Sequence, residues 1–348
     1  MKRIAFFALF SLFSALWCFA QADLQPAAIV NLTRSEPITV KQFRTELENM
    51  EKASGRKLNQ NEQKEVLDAM INERLAIQAA ERDKITIAES EVNKQVDQLK
   101  SQMVQVIGRQ PTDAEFATAI RSQTGLDIPS FREKLRRQLI IQKYLMSKKQ
   151  STIESIKVPT EADIVNQYNL AKAQLVRPDT VRISMIQATY GQDAASKTKA
   201  KELIDRLARE IGTSPSKFDE VFIRGQAPNS GYYAGDEGYL PRSMQTAQVV
   251  GQEFINIAFS LKQGEISKVI EGQRGYQIIK VTETYAQKNL DLDDIVQPGS
   301  RITVREYIGN SLLQERQAEV IAKASQELIS DLRKGNPFQI FEKNLSWQ

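Results

Sequence analysis

The stretch from Gly264 to Thr282 reads Gly-Glu-Ile-Ser-Lys-Val-Ile-Glu-Gly-Gln-Arg-Gly-Tyr-Gln-Ile-Ile-Lys-Val-Thr. Between its Gly-Tyr and Ile-Ile pairs stands Gln277, whose carboxamide can both donate and accept a hydrogen bond. The chain of 348 residues has no histidine and one cysteine, Cys18. Ser-His-Asp and Cys-His nucleophiles are therefore excluded, and no soft-ligand metal site or disulfide can form. What remains for chemistry is carboxylates, hydroxyls, amines and amides, so neither a metal nor a cofactor is expected. No glycine-rich phosphate loop is present. Lys and Arg number 47 against 43 Asp and Glu, without a basic block, which gives no case for nucleic acid as a partner.

The elements that must carry such groups follow from periodicity. Lys2 and Arg3, the apolar run Ile4 to Trp17 and Ala20-Gln21-Ala22 read as a secretory leader with its cleavage site. Cleavage would remove Cys18 and leave a net charge of +2. Retention as an anchor and lipidation at Cys18 are the competing readings; the apolar run is shorter than the ~20 residues that span a bilayer. A strand from Ala28 and a turn lead to a helix opened by Thr39 with Gln42 as capping partner. Asn59 caps a helix bearing Val66, Leu67, Met70, Ile71 and Leu75 on one face, and Thr86 to Glu89 opens the next, which stops at Gly108. Thr112 to Glu115 starts a shorter helix with Phe116 and Ile120. Pro129-Ser130 begins a long one with Phe131, Leu135, Leu139 and Tyr144 inward and Arg132, Arg136, Arg137 and Lys143 outward. That basic face is read as solvated in preference to a binding surface. Thr160 to Asp163 caps a last helix before Pro178-Asp179.

From Val181 the period changes to two, with Val181, Ile183 and Met185 alternating against Arg182, Ser184 and Ile186. A helix over 194–211 follows, with Ala200, Ile204, Leu207 and Ile211 on one face. Gly225 to Gly238 is read as a turn-rich loop, Gly251 to Leu261 as a short helix, and Tyr276 to Thr284 as a last strand. Helical spacing returns at Val304, Ile308, Leu312, Val320 and Leu328, until Gly335-Asn336-Pro337. Phe338, Ile340, Phe341 and Trp347 form an apolar tail expected to dock on a neighbour.

Three stretches resemble the SurA and PrsA family of exported chaperone-isomerases. These are Val66 to Leu75 with Ile85 to Val92, Phe131 to Leu139, and Gly235-Asp-Glu-Gly-Tyr-Leu-Pro-Arg242 with Phe254, Ala258-Phe259 and Gly264-Glu-Ile-Ser267. The last resembles the centre of a parvulin-type prolyl isomerase. The fold so implied is α+β: a SurA-like helical N-terminal module and a C-terminal helix form a chaperone core, with one inserted parvulin-like β-α-β domain. The expected boundaries are 1–22 for the signal peptide, 23–177 for the helical domain, 178–286 for the parvulin-like domain and 287–348 for the returning helix.

By that resemblance Met185 and Gln277 stand where parvulins carry histidines, and the expected acid or cysteine falls near Ala227 and Pro228. The resemblance places the proline pocket at Val250, Phe254, Phe259 and Tyr276, although helical spacing alone reads Val250, Phe254 and Phe259 as core. A thioether accepts hydrogen bonds weakly and donates none, so Met185 cannot rebuild an imidazole network. The resemblance implies a periplasmic holdase for unfolded exported chains, outer-membrane β-barrel precursors among them, with a degenerate isomerase module. An active isomerase with an altered site and a membrane-anchored assembly factor are the alternatives.

Overall fold

The structure, a computed structural model, describes residues 23–191 and 193–345. The leader, Cys18 and Trp347 lie outside the described residues. No helix among the described residues is long and apolar enough to cross a membrane. Two compact units are present: one made of residues up to Lys157 together with Arg316 onward, the other Val158–Glu315.

In the N-terminal unit, β1 (Pro26–Val30) is the centre of a three-stranded antiparallel sheet between β2 (Glu36–Thr39) and β9 (Phe338–Ile340), the latter supplied by the C-terminal tail. Six helices follow: α1 (Val40–Ser54), α2 (Gln60–Arg82), α3 (Glu89–Ile107), α4 (Asp113–Thr124), α5 (Ile128–Lys148) and α6 (Gln150–Glu154). Their starts are local chemistry. Thr39 Oγ1 accepts from Gln42 N at 3.2 Å while Gln42 Oε1 accepts from Thr39 N at 3.1 Å, and Asn59 with Glu62 and Thr112 with Glu115 repeat the exchange. Gly108 and Gly125 end α3 and α4 at positive φ, where a side chain would be strained.

The expected starts of α3 and α5 shift. The cap of α3 is Ala88, whose N–H donates to Glu91 Oε2 at 2.9 Å, and Thr86 instead offers its carbonyl to Lys143. For α5 the cap is Asp127, which accepts from Ser130 N. The core joins Leu67, Ile71, Leu75 and Ala79 of α2 to Tyr144 and Leu145 of α5, and to Ala324, Leu328 and Leu332 from the second half of α12 (Val304–Arg333). Buried Gln78 uses its Oε1 to accept from Leu32 N and Thr33 N and its Nε2 to donate to Glu36, which satisfies the β1–β2 turn.

The second unit starts with α7 (Glu161–Ala171) and a two-stranded ribbon of β3 (Val176–Arg177) and β8 (Lys288–Asn289). Its main sheet is antiparallel in the order β5 (Tyr233–Pro241), β4 (Thr180–Thr189), β7 (Gly275–Tyr285), β6 (Ile270–Glu271). One face is covered by α8 (Ala194–Ile211) and α9 (Pro215–Gly225), whose Ile204, Leu207, Ile211, Phe218 and Val221 pack on Ile186, Ala188, Tyr276 and Ile278. The other face meets α11 (Gln252–Ser260), which follows the short α10 (Met244–Val250). The unit is wider than the expected 178–286 because Tyr168 of α7, Leu290, and Val304 and Ile308 of the first half of α12 build a satellite core of their own.

Two corrections concern this unit. The segment 225–238 is not all loop, since β5 runs through it, and α9 and α10 were not foreseen. β5 hides behind turn vocabulary: Ile183 faces Gly238 and Ser184 faces Asp236, so Glu237 is an extra residue in a bulge with Gly238 at φ +72°. Asp236 Oδ1 accepts from Gly238 N at 2.9 Å and closes that bulge.

Candidate functional site

Two regions could do work. The first is in the N-terminal unit, where α1, α2 and α5 leave a groove of about 1170 Å³. Its apolar lining includes Met50, Leu58, Val66, Ala69, Met70 and Ile128. Val66 is buried beneath, Ala69 is exposed, and Met50 is 45% exposed. Among the described lining residues six are acidic and six basic, so the groove carries no net charge. Most are tied to one another or to the groove's own walls. Arg132 and Arg136 both grip Glu89, Arg137 Nε meets Glu73 Oε1 at 2.9 Å, Arg56 holds Glu62 and Arg74 holds Glu36. The basic face expected to point outward on α5 is thus turned to α2 and α3, and its cations are used there.

Those pairs set the response to pH. Hydrogen bonding from Arg56, then from Asn59 N–H, holds Glu62 at about 2; Arg109, then Thr112 N–H, does the same for Glu115. A carboxylate depressed on folding stabilises fully above its unfolded value of about 4.3, and that contribution is lost as pH falls towards the folded value. With no histidine in the chain no side chain at its ordinary value changes charge in the usual imidazole range. The thermal midpoint is therefore expected to be flat from about pH 5.5 to about 9 and to fall below about pH 4.3. A melting series across buffers checks this, and a step between pH 6 and 7 would contradict it.

The second region is the sheet face under α11. Met185, 8% exposed, and Phe254, 7% exposed, belong to one cluster with Val181, Ile183, Ala258, Ile279 and Val281. Val250 and Phe259 pack against its edge, and Arg242 lies over the Phe259 ring at 5.2 Å. Gln277 is half-buried on the same face as Met185, one strand away. Tyr276 is a correction. It points to the opposite face, into the α8–α9 core, with its ring edge-on to Tyr190 at 5.4 Å, because successive strand residues alternate. Ala227 and Pro228 sit in the turn between α9 and β5 and bring neither carboxylate nor thiol.

Two residues on this face were missed: Gln187, two positions beyond Met185 and so on the same side, and Tyr233, directly opposite it on β5. Burial, and then the neighbouring Glu237 carboxylate, push the Tyr233 phenol above its ordinary value. At the far end of the sheet Arg182 braces β4 to its neighbours, meeting Asp236 Oδ2 at 2.5 Å and Glu283 Oε1 at 2.8 Å. Asp236, the landmark of the sequence pattern, is thereby held ionised as a strut.

The chain thus pairs a helical unit holding a neutral, apolar-floored groove with a unit built on a four-stranded antiparallel sheet packed between helices. Residues 3–145 match the SurA-like N-terminal domain, and residues 159–297 the PPIC-type PPIase domain. The chain therefore carries a SurA-like domain and a single parvulin-type domain, and its relatives are the PrsA and SurA foldases. It is 27% identical over 311 residues to foldase protein PrsA of Clostridium botulinum, covering 87% of this chain and 80% of that one. It is 25% identical over 230 residues to chaperone SurA of Nitrosococcus oceani, covering 64% of this chain and 48% of the relative. Among solved structures, PrsA from Bacillus subtilis matches at 22% identity and a TM-score of 0.28 over 90% of this chain and 93% of that one. One of the SurA-like chaperones of Campylobacter jejuni matches at 12% identity and a TM-score of 0.37, over 91% and 100%.

Proposed function

We propose that this chain is an exported holdase that binds unfolded polypeptide, its N-terminal groove taking extended apolar stretches and its parvulin-type domain giving a second, non-catalytic contact. The groove is the observation that carries this reading. At about 1170 Å³ it exceeds the ~300–1,000 Å³ usual for small-molecule sites, which suits a length of chain. An apolar floor with a self-neutralised rim asks for uncharged, apolar sequence and needs no charged partner. The leader read at 1–22 supports a periplasmic site of action, and outer-membrane β-barrel precursors, whose strands alternate apolar residues between aromatic girdles, are the proposed clients.

The test is suppression of aggregation of an unfolded barrel protein at stoichiometric ratio. Ala69→Arg puts a long cation into the groove from an exposed helix position and leaves the core alone. It is expected to weaken client binding by at least about ten-fold, some 1.4 kcal/mol, with an unchanged melting temperature. Wild-type binding is expected to vary little between low and physiological salt, because the rim charges cancel. Suppression that survives Ala69→Arg undiminished would remove the groove from the mechanism.

A further inference from the structure

One level of the parvulin-type sheet carries a continuous polar row. Tyr233 of β5 lies opposite Gln187 of β4, Gln187 lies opposite Gln277 of β7, and Gln277 lies opposite Ile270 of β6. Their strand neighbours Ala234, Ile186, Ala188, Tyr276 and Ile278 are all packed beneath α8 and α9, so the row faces the other way, beside Met185 and Ile279. Residues opposite one another in antiparallel strands stand about 4.5–5.5 Å apart at Cβ, so the two glutamine side chains leave the sheet side by side. Both are half-buried, and among the described residues neither has a hydrogen-bond partner. Gln277 is held against the β6–β7 turn, since a Cβ on Gly272 would lie 3.0 Å from its Nε2. Tyr233, 47% exposed, lays its ring along β5 over Gly235, where a Cβ would come within 2.0 Å of the hydroxyl.

We propose that Gln187 and Gln277 form a main-chain clamp that binds extended polypeptide through the N–H and C=O of a peptide group and discriminates against proline. This rests on the reading of the domain as a peptide-binding module. Each carboxamide offers a donor pair and an acceptor, so two adjacent ones complement one peptide unit. Proline has no N–H to give and would leave one amide oxygen without its partner. The apolar side of the face offers no compensation to the pyrrolidine ring, because Met185 and Phe254 are both buried in one cluster. The specificity is thus the reverse of that expected of an isomerase site.

The experiment uses the full chain carrying Ala69→Arg, so that the groove does not compete, and two end-blocked, fluorescently labelled decapeptides of Ala, Val and Thr, identical but for a central Ala or Pro. The Ala peptide is expected to bind about ten-fold more tightly than the Pro peptide by anisotropy. Combining Gln187→Leu with Gln277→Leu should weaken the Ala peptide about ten-fold and abolish the difference, while Gln277→Asn keeps part of it. A melting curve shows that each variant is folded. Equal or tighter binding of the Pro peptide, or a double variant that binds both peptides as before, overturns the clamp. Absence of aggregation suppression in the wild-type chain, with proline discrimination retained in the Ala69→Arg chain, supports the clamp and strikes only at the groove. Suppression in the absence of any decapeptide binding overturns the clamp and leaves the holdase standing.

Discussion

Deleting residues 316–348 is expected to unfold the N-terminal unit and to spare the sheet of the second unit. The deleted segment supplies Ala324, Leu328, Leu332 and Leu345 to the core, all buried, and β9, which pairs with β1 through Ala28, Ile29 and Val30. Burial of three leucines alone is worth roughly 5 to 9 kcal/mol at about 1.5–3 kcal/mol each. A typical domain has only about 5–15 kcal/mol of stability in total, so little would be left. The cut also strips Arg333 from Asp68 and Asn72, and uncovers Leu67, Ile71 and Leu75 on α2. Hydrogen exchange reads the outcome: amides of α2 should lose protection while those of β4 and β7 keep it. Protection of α2 that persists after the deletion would mean that the first six helices hold their core without the returning chain.

What could be read in advance divides along the range of the forces. The capping pairs Thr39 with Gln42, Asn59 with Glu62, Thr112 with Glu115 and Thr160 with Asp163 complete themselves within four residues, so their spelling is their structure. The face of α8 is equally plain, because Ala200, Ile204, Leu207 and Ile211 sit at helical spacing and are buried together. β5 was not legible. Gly235, Asp236 and Gly238 spell a turn locally, and only pairing with β4 across some fifty residues of chain turns them into a bulged edge strand. Tyr276 does not join Phe254 in a pocket, since period two sends Tyr276 and Gln277 to opposite faces. The same rule, applied forward from Met185, would have found Gln187. The groove could not be found that way, because Met50, Ala69 and Ile128 meet only through the packing of three helices.

In a protease-coupled assay with a proline peptide the chain is expected to give at most a small fraction of the acceleration of a histidine-bearing parvulin. Twisting the amide has a barrier of about 18–20 kcal/mol, and an enzyme lowers it by stabilising what changes in the transition state. One well-placed donor in such a site is worth about 10²–10³ in rate. At the two positions in question stand Met185, a thioether that donates nothing, and Gln277, a neutral amide that can supply one donor. Desolvation does not rescue the site, because Phe254 and Met185 lie buried in one cluster instead of walling an open pocket. Met185→His with Gln277→His is expected to recover little, since the parvulin resemblance puts a third, acid or thiol member of the network near Ala227 and Pro228, and neither residue supplies one. A wild-type rate well above background that falls on Phe254→Ala and Gln277→Ala would make the domain an enzyme after all. An unchanged background rate across the series leaves hydrogen bonding to the main chain as the chemistry this face can perform.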